Sequence, residues 1–237
     1  MELKDKVVII TGASSGIGKA TAKLFAQKGA KVVLAARSKE KLEALAKELP
    51  KSVVVPTDMT KAKEIATLVQ RTMEQFGRID ILINNAGRGY HVPLMEIESK
   101  KFHALFDLDV VGPLIAMQQV IPVMKKQGSG TIVNISSGTS LMNIPGIGAY
   151  SSLKRALNAI SLTAREELAA DHINVSVVYP YITKTQFHNN LLNGARSMDE
   201  NEHMPPFDEP EAVAKKIMDA VISGDAEIYV HDWMKKR

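Results

Sequence analysis

The chain has 237 residues, a formal net charge of +4, 45% hydrophobic and 24% charged residues, and no cysteine. That length approaches the upper limit for one hydrophobic core, and the composition excludes a disordered chain, a disulfide framework and thiolate metal sites. Aromatic residues make up 5% and the basic residues are scattered, apart from a short basic end at Lys235, Lys236 and Arg237, so the excess reads as a solvated surface and not as a nucleic-acid stripe.

Met1 to Lys6 is charged and runs straight into an apolar segment, which does not read as a secretory leader. No apolar run reaches the ~18 to 20 residues that span a bilayer, so no membrane segment is expected and a cytoplasmic address is the default. Strand-length apolar runs then alternate with amphipathic stretches. Lys6–Thr11, Lys31–Ala36, Ser52–Thr57, Ile79–Ile83, Thr131–Ile135, Ile173–Tyr179 and Glu227–Val230 read as strands, mostly β-branched at consecutive positions, as in strands covered on both faces. Between them, Gly16–Lys28, Lys39–Leu49, Lys61–Phe76, Ser99–Lys126, Ala149–Ala170 and Pro210–Ser223 read as helices. Alternation sustained along residues 1–237 predicts a single α/β domain, a doubly wound parallel sheet of the Rossmann type with helices on both faces and ligands at the strands' carboxyl ends. Gln186–Pro206 interrupts the pattern; it is polar, follows a strand's carboxyl end, and reads as a substrate lid.

The first strand leads into Thr11-Gly12-Ala13-Ser14-Ser15-Gly16-Ile17-Gly18. Gly12 permits a tight turn, Gly16 lets the backbone approach a pyrophosphate, and Gly18 lets the helix pack closely on the sheet, so the N–H groups from Ser14 and Ser15 to Ile17 face an anion. The spacing is GxxxGxG, and alanines at 13 and 20 break the nucleoside-triphosphate loop pattern. The second strand ends Ala35-Ala36-Arg37-Ser38, with no acid to bond a ribose 2′-hydroxyl and an arginine in reach of a 2′-phosphate. Arg37 is otherwise a solvated loop residue, but the missing acid favours NADP (NADPH) over NAD.

Ser137 follows the fifth strand, and Tyr150 and Lys154, four residues apart, share one face of the next helix. A phenol with a pKa near ~10 is a poor base at neutral pH. An ammonium ~4 Å away at an effective dielectric of ~20 favours phenolate by ~4 kcal/mol, about a thousandfold in acidity. Tyr150 would then serve as general acid–base while Ser137 holds the substrate oxygen. Taken alone, Tyr-x-x-x-Lys is a common amphipathic pair; its order after the glycine turn gives it weight.

Together these segments resemble the short-chain dehydrogenase/reductase family over nearly the whole chain, through Thr11–Gly18, Asp58, Asn84–Gly87, Ser137, Tyr150 and Lys154. The resemblance implies hydride transfer between NADP(H) and a carbonyl or secondary alcohol. It also implies that Asp58 contacts adenine, that Asn85, Ala86 and Gly87 lie along the adenosine ribose, and that Tyr150 and Lys154 hold the nicotinamide ribose. After Pro180, Thr183 and Thr185 match positions that hold carboxamide and pyrophosphate. Two departures stand out. Asp109 occupies the usual asparagine position of a water-mediated proton relay, where its charge would stabilise the Lys154 ammonium and cannot replace an amide donor. Tyr181 stands where glycine usually follows the proline, either shaping the substrate site or packing.

Six histidines occur, none at metal-ligand spacing, so no metal is expected. Tyr90 and His91 lie where they either touch substrate or pack, and Ser140, Leu141, Met142, Asn143 and Ile144 read as pocket lining. The helices at 99–126 and 149–170 resemble those that pair between subunits, which implies a homodimer or homotetramer. A second reading keeps the fold but not the chemistry: a non-enzymatic NADP(H)-binding regulatory module, supported by Asp109.

Overall fold

A computed structural model describes residues 2–185, 187, 191–192 and 207–236. The expected lid at 186–206 therefore lies almost wholly outside the described residues. Seven strands form one sheet: β1 Val7–Thr11, β2 Lys31–Ala36, β3 Ser52–Pro56, β4 Ile81–Asn84, β5 Gly130–Ile135, β6 Ile173–Tyr179 and β7 Glu227–Tyr229. Every pairing is parallel and the order is β3-β2-β1-β4-β5-β6-β7.

Strand periodicity explains why helices are needed on both faces. Val8 and Ile10 of β1 point into one core with Val32 and Leu34, while Val7 and Ile9 point into the other with Val33 and Leu82. The first face is covered by α1 Gly16–Gln27, α2 Lys39–Ala46 and α7 Pro210–Ser223 through Phe25, Leu42, Val213 and Ile217. The second is covered by α3 Ala62–Phe76 and α5 Gly112–Gln127 through Ile65, Leu68, Met117, Val120 and Met124, with Leu168 of α6 Gly148–Leu168. Strand order reverses direction between β1 and β4, and at such a switch point the chains diverge above the carboxyl ends and leave a crevice.

The predicted helix over Ser99–Lys126 is not uniform. Helix α4 Ser99–Phe106 joins α5 through a π-helical turn at Asp107–Val111, which buries Asp109 and Val110. Insertions of this kind into a helix recur at functional sites because they re-aim one side chain. Amphipathic periodicity carries no mark of a single inserted residue. The same stretch, Ser99–Gln127, is long and apolar enough on average to cross a bilayer, which corrects the expectation that no run reaches that length. Its apolarity is accounted for by the side chains it places on the sheet, Ala116, Met117, Val120 and Met124.

At the amino-terminal ends of the central strands, Asp80 ties β1, β4 and β5 together. Its Oδ2 accepts the Val7 N–H at 2.9 Å and Arg78 Nε at 2.9 Å, its backbone N–H reaches Val7 O, and its carbonyl accepts from Thr131 N–H. Burial alone pushes this carboxyl up, but hydrogen bonds from Arg78 and Val7 and the charges of Arg78 and Lys6 hold it below the ordinary range. A depressed carboxyl stabilises the fold above its unfolded pKa and loses that contribution as pH falls through its folded one. Asp80→Asn is expected to cost about 2 kcal/mol at pH 7 by denaturant unfolding, with the gap to wild type closing below about pH 4. A gap that stayed constant with pH would show that ionisation of Asp80 contributes nothing.

Candidate active site

The glycine turn has the geometry its sequence requires. Gly12 and Gly16 take φ of +67° and +51°, in the left-handed region that side chains disfavour. A Cβ at Gly12 would lie 2.8 Å from Asn85 Nδ2, one at Gly16 2.9 Å from Thr185 Cγ2, and one at Gly18 would collide with the Gly12 carbonyl. Ser15 precedes α1 in an extended conformation without a side-chain cap, and no acid stands in the first turn. The opening N–H groups of α1 are thus left to a ligand, and negative charge is favoured there. This turn suits the pyrophosphate of a dinucleotide.

What holds the turn in place is Thr11, whose hydroxyl oxygen accepts from the backbone N–H groups of Asn85 at 2.9 Å and Ala86 at 3.0 Å. In return, Asn85 Nδ2 donates to the carbonyls of Thr11 at 2.9 Å and Gly12 at 3.4 Å. The Asn85 side chain is therefore taken up by the turn itself. Thr11 stands in the quoted motif, yet reading glycine spacing alone assigns it no part; the signal was a hydroxyl at the last residue of β1.

At the end of β2, Arg37 is exposed, and at the end of β3, Asp58 accepts Thr60 N–H at 2.9 Å and the Thr60 hydroxyl at 2.8 Å. Burial pushes the Asp58 carboxyl up, but Thr60 and the charges of Arg37 and Lys61 outweigh it and hold the group low. Thr185 sits against Gly16 and accepts the Phe187 N–H at 3.2 Å, while Thr183 pairs with Asp208 in a short parallel bridge. Pro180 offers its carbonyl to the Gly138 N–H at 2.6 Å.

Over β5 and α6 the structure brings Ser137, Tyr150, Lys154 and Asp109 together. Ser137 caps a 3-10 turn over Gly138–Leu141, with its Oγ accepting from Thr139 N and Oγ1, and its hydroxyl lies near enough to the Tyr150 phenol to influence its ionisation. Tyr150 stands in the first turn of α6, and Lys154 Nζ lies 5.7 Å from its ring centre. That Nζ donates to the Ile135 carbonyl at 3.1 Å and lies 3.8 Å from Asp109 Oδ2. Asp109 is fully buried, with Oδ1 accepting the Arg88 N–H at 3.1 Å. Gly87 closes the cluster, since a Cβ there would lie 2.9 Å from Asp109 Oδ1 and 3.4 Å from Lys154 Nζ.

Electrostatically the cluster differs from the expectation of a phenol made acidic by its lysine. Burial and the Asp109 carboxylate push the Tyr150 phenol above the ordinary tyrosine value, and the nearby Ser137 hydroxyl offsets only part of this. The lysine ammonium has a carboxylate beside it, at 3.8 Å.

The neighbouring candidates divide. The His91 and Phe187 rings flank Tyr150 at 5.8 and 5.6 Å between centres. Tyr90 is buried for structural reasons: its hydroxyl donates to Glu96 O and accepts from Glu98 N–H. Ser140 is likewise internal, its Oγ bonded to Ser137 O at 2.7 Å and to Asn158 Nδ2 at 3.0 Å, which corrects its reading as pocket lining. Arg155, which the sequence did not single out, holds the following loop through Ser140 O, Met142 O and Asn143 Oδ1. Tyr181 packs edge-on against Trp233 at 5.1 Å and touches the space above Gly138. Among the described residues no group of three or more His, Asp or Glu is placed to hold a metal ion.

A family profile described as short chain dehydrogenase matches residues 6–195. The chain is 36% identical to a 3-oxoacyl-(acyl-carrier-protein) reductase of Thermotoga maritima, over 97% of this chain and 95% of that protein. A short-chain dehydrogenase/reductase of Burkholderia phymatum, solved in complex with NAD, superimposes with a TM-score of 0.88 at 25% identity, covering 99% and 92% of the two chains. A 3-ketoacyl-(acyl-carrier-protein) reductase of Brucella melitensis complexed with NADH also gives 0.88, at 26% identity over 96% and 97%.

The turn's dependence on Thr11 is testable. Thr11→Val leaves the N–H groups of Asn85 and Ala86 without their acceptor and should cost about 1–3 kcal/mol of unfolding free energy. It should also weaken dinucleotide binding in a fluorescence titration. Unchanged stability would show that these bonds do not hold the turn.

Proposed function

This chain belongs to the short-chain dehydrogenase/reductase family, and from that premise we propose that it is an NADP(H)-dependent oxidoreductase of the carbonyl reductase or alcohol dehydrogenase type. The observation that carries the reading is the convergence of Ser137, Tyr150 and Lys154 at the carboxyl end of β5 and the start of α6. The turn at Gly12–Gly18 holds the pyrophosphate and Thr185 closes over Gly16. Asp58 faces the adenine and the backbone of Asn85–Gly87 the ribose. Lys154 holds the nicotinamide ribose, and Thr183 the carboxamide.

A bound nicotinamide supplies the hydride for reduction or accepts it in oxidation. The protein's part is to handle the oxygen and its proton. Ser137 donates a hydrogen bond to the substrate oxygen, and the Tyr150 hydroxyl gives up its proton as the carbon receives the hydride. The phenolate left behind lies beside the Lys154 ammonium, which is itself paired with Asp109. His91 and Phe187, on either side of the phenol, narrow the approach to a flat carbonyl carbon.

The preference for NADP rests on Arg37 and on the absence of an acid at the end of β2. A half-buried apolar groove between α5 and α6, lined by Leu114, Ile121, Ile160 and Ala164, supports assembly of two or four copies through those helices. Cytoplasmic residence belongs to the same proposal.

The deciding measurement is NADPH consumption over a panel of ketones and aldehydes, repeated with NADH. Tyr150→Phe should lower kcat/KM by about 10²- to 10⁴-fold, far more than it weakens cofactor binding. Equal activity in that variant would reject the chemistry, and cofactor binding without turnover of any carbonyl would favour the regulatory module. Arg37→Ala should weaken NADPH binding about tenfold or more and spare NADH. A loss equal for both cofactors would remove the 2′-phosphate role.

A further inference from the structure

The cluster holds one more charged group than the proton transfer uses. Asp109 is fully buried at the π-helical turn, and no reacting atom needs it. Both members of its ion pair are pinned. Lys154 Nζ is held by the Ile135 carbonyl at 3.1 Å, and Asp109 Oδ1 by the Arg88 N–H at 3.1 Å. Asp109 Oδ2 makes no hydrogen bond within the described residues, so the ammonium 3.8 Å away is the polar group it faces.

We propose that Asp109 is a positioning residue that cancels the field of Lys154 at the phenol, keeping Tyr150 a neutral proton donor and tilting the site towards carbonyl reduction. The inference rests on the oxidoreductase reading above.

The physical reason is a balance of two opposite charges in one desolvated volume. A buried ammonium alone stabilises phenolate, whereas an ammonium paired one to one with a carboxylate leaves the phenol facing no net charge. In reduction, the carbonyl carbon gains the hydride supplied by the nicotinamide. The C=O π pair takes the hydroxyl proton of Tyr150 to form the new O–H bond, leaving phenolate. In the reverse direction, phenolate takes the alcohol proton as the C–H pair leaves for the oxidised nicotinamide. The first starts from protonated tyrosine and the second from ionised tyrosine, so at a given pH whatever disfavours phenolate enlarges the fraction of protein ready for reduction, at the cost of a weaker acid.

The groups facing the pair bear the argument out. Lys154 and Tyr150 come from α6, the Arg88 N–H from the segment after β4, and Ser137 from the end of β5. His91, in that same segment after β4, faces the phenol, while Asp107 on Asp109's own turn is exposed. Burial pushes the Asp109 carboxyl up and Lys154 pulls it partly back, so its net position is above the ordinary carboxylate range. As pH rises through that value the carboxylate gains its charge, and ionising the phenol becomes harder still.

Phenolate absorbance, titrated in the folded protein with Tyr150→Phe subtracted, reads the Tyr150 ionisation directly and needs no turnover. In the wild type Tyr150 should ionise above an ordinary tyrosine, and Asp109→Asn should lower its midpoint by about one pH unit or more. The pH profile of alcohol oxidation should move to lower pH by the same amount. An Asp109→Asn midpoint equal to or above the wild-type value overturns the inference, as does a wild-type midpoint below about 10. That wild-type criterion decides alone if circular dichroism shows the variant unfolded. A shifted midpoint with no ketone or alcohol turned over would support the role of Asp109 and reject the oxidoreductase reading. Turnover with an unmoved midpoint would do the reverse.

Discussion

The constraint on which this protein depends is the joining of β1 and β4 at their carboxyl ends. There the chain parts to opposite faces of the sheet, and two loops must leave side by side without collapsing into the gap. The Thr11 hydroxyl and the Asn85 amide bridge them with four hydrogen bonds, each satisfying a backbone group that the strand ladder has just released. With those bonds made, Gly12 and Gly16 hold positive φ and α1 starts with its N–H groups facing outward. The dinucleotide cradle is thus a by-product of closing a sheet whose order reverses.

The same logic extends to the second half of the site. Ser137 follows β5, and Tyr150 and Lys154 stand in the first turns of α6, so strand and helix packing set their separation before any ligand arrives. Asp109 enters from a third direction, through a π-helical turn between α4 and α5. Its charge is matched by a lysine held from the other side by Ile135 O. Ser137, Tyr150 and Lys154 are therefore accompanied by a buried carboxylate brought in from a separate element.

The fold was legible in the sequence because strands covered on both faces read as unbroken β-branched runs, and these recur with helices between them. The strand ends drifted by a residue or two, as at β4, since burial and not periodicity decides where the ladder stops. The cradle glycines, Ser137, Tyr150 and Lys154 were legible because spacing alone puts them at strand ends and on one helical face. What escaped was anything set by three-dimensional neighbours. The π-helical turn leaves no periodic trace, Arg155 and Thr11 act through backbone carbonyls and N–H groups far along the chain, and Tyr90 was distinguishable from His91 only by its bonds to Glu96 and Glu98. The acidity of the phenol was misjudged because the sequence supplies one lysine nearby, while the folded site adds a carboxylate and removes solvent.

Behind the sheet, Asn84 Nδ2 donates to Asn134 Oδ1 at 2.8 Å, and Asn134 Nδ2 donates to the Ser161 hydroxyl at 2.7 Å, linking β4, β5 and α6 in a fully buried row. Such a row acts as a keyway. Rotating α6 about its axis, or sliding it by one residue, would strand amide groups in an apolar medium, so the helix has a single seating angle. That angle is fixed about two turns along from Lys154, on the same face of α6. The direction in which Tyr150 and Lys154 point is therefore set by the core and is independent of the loops above the cleft.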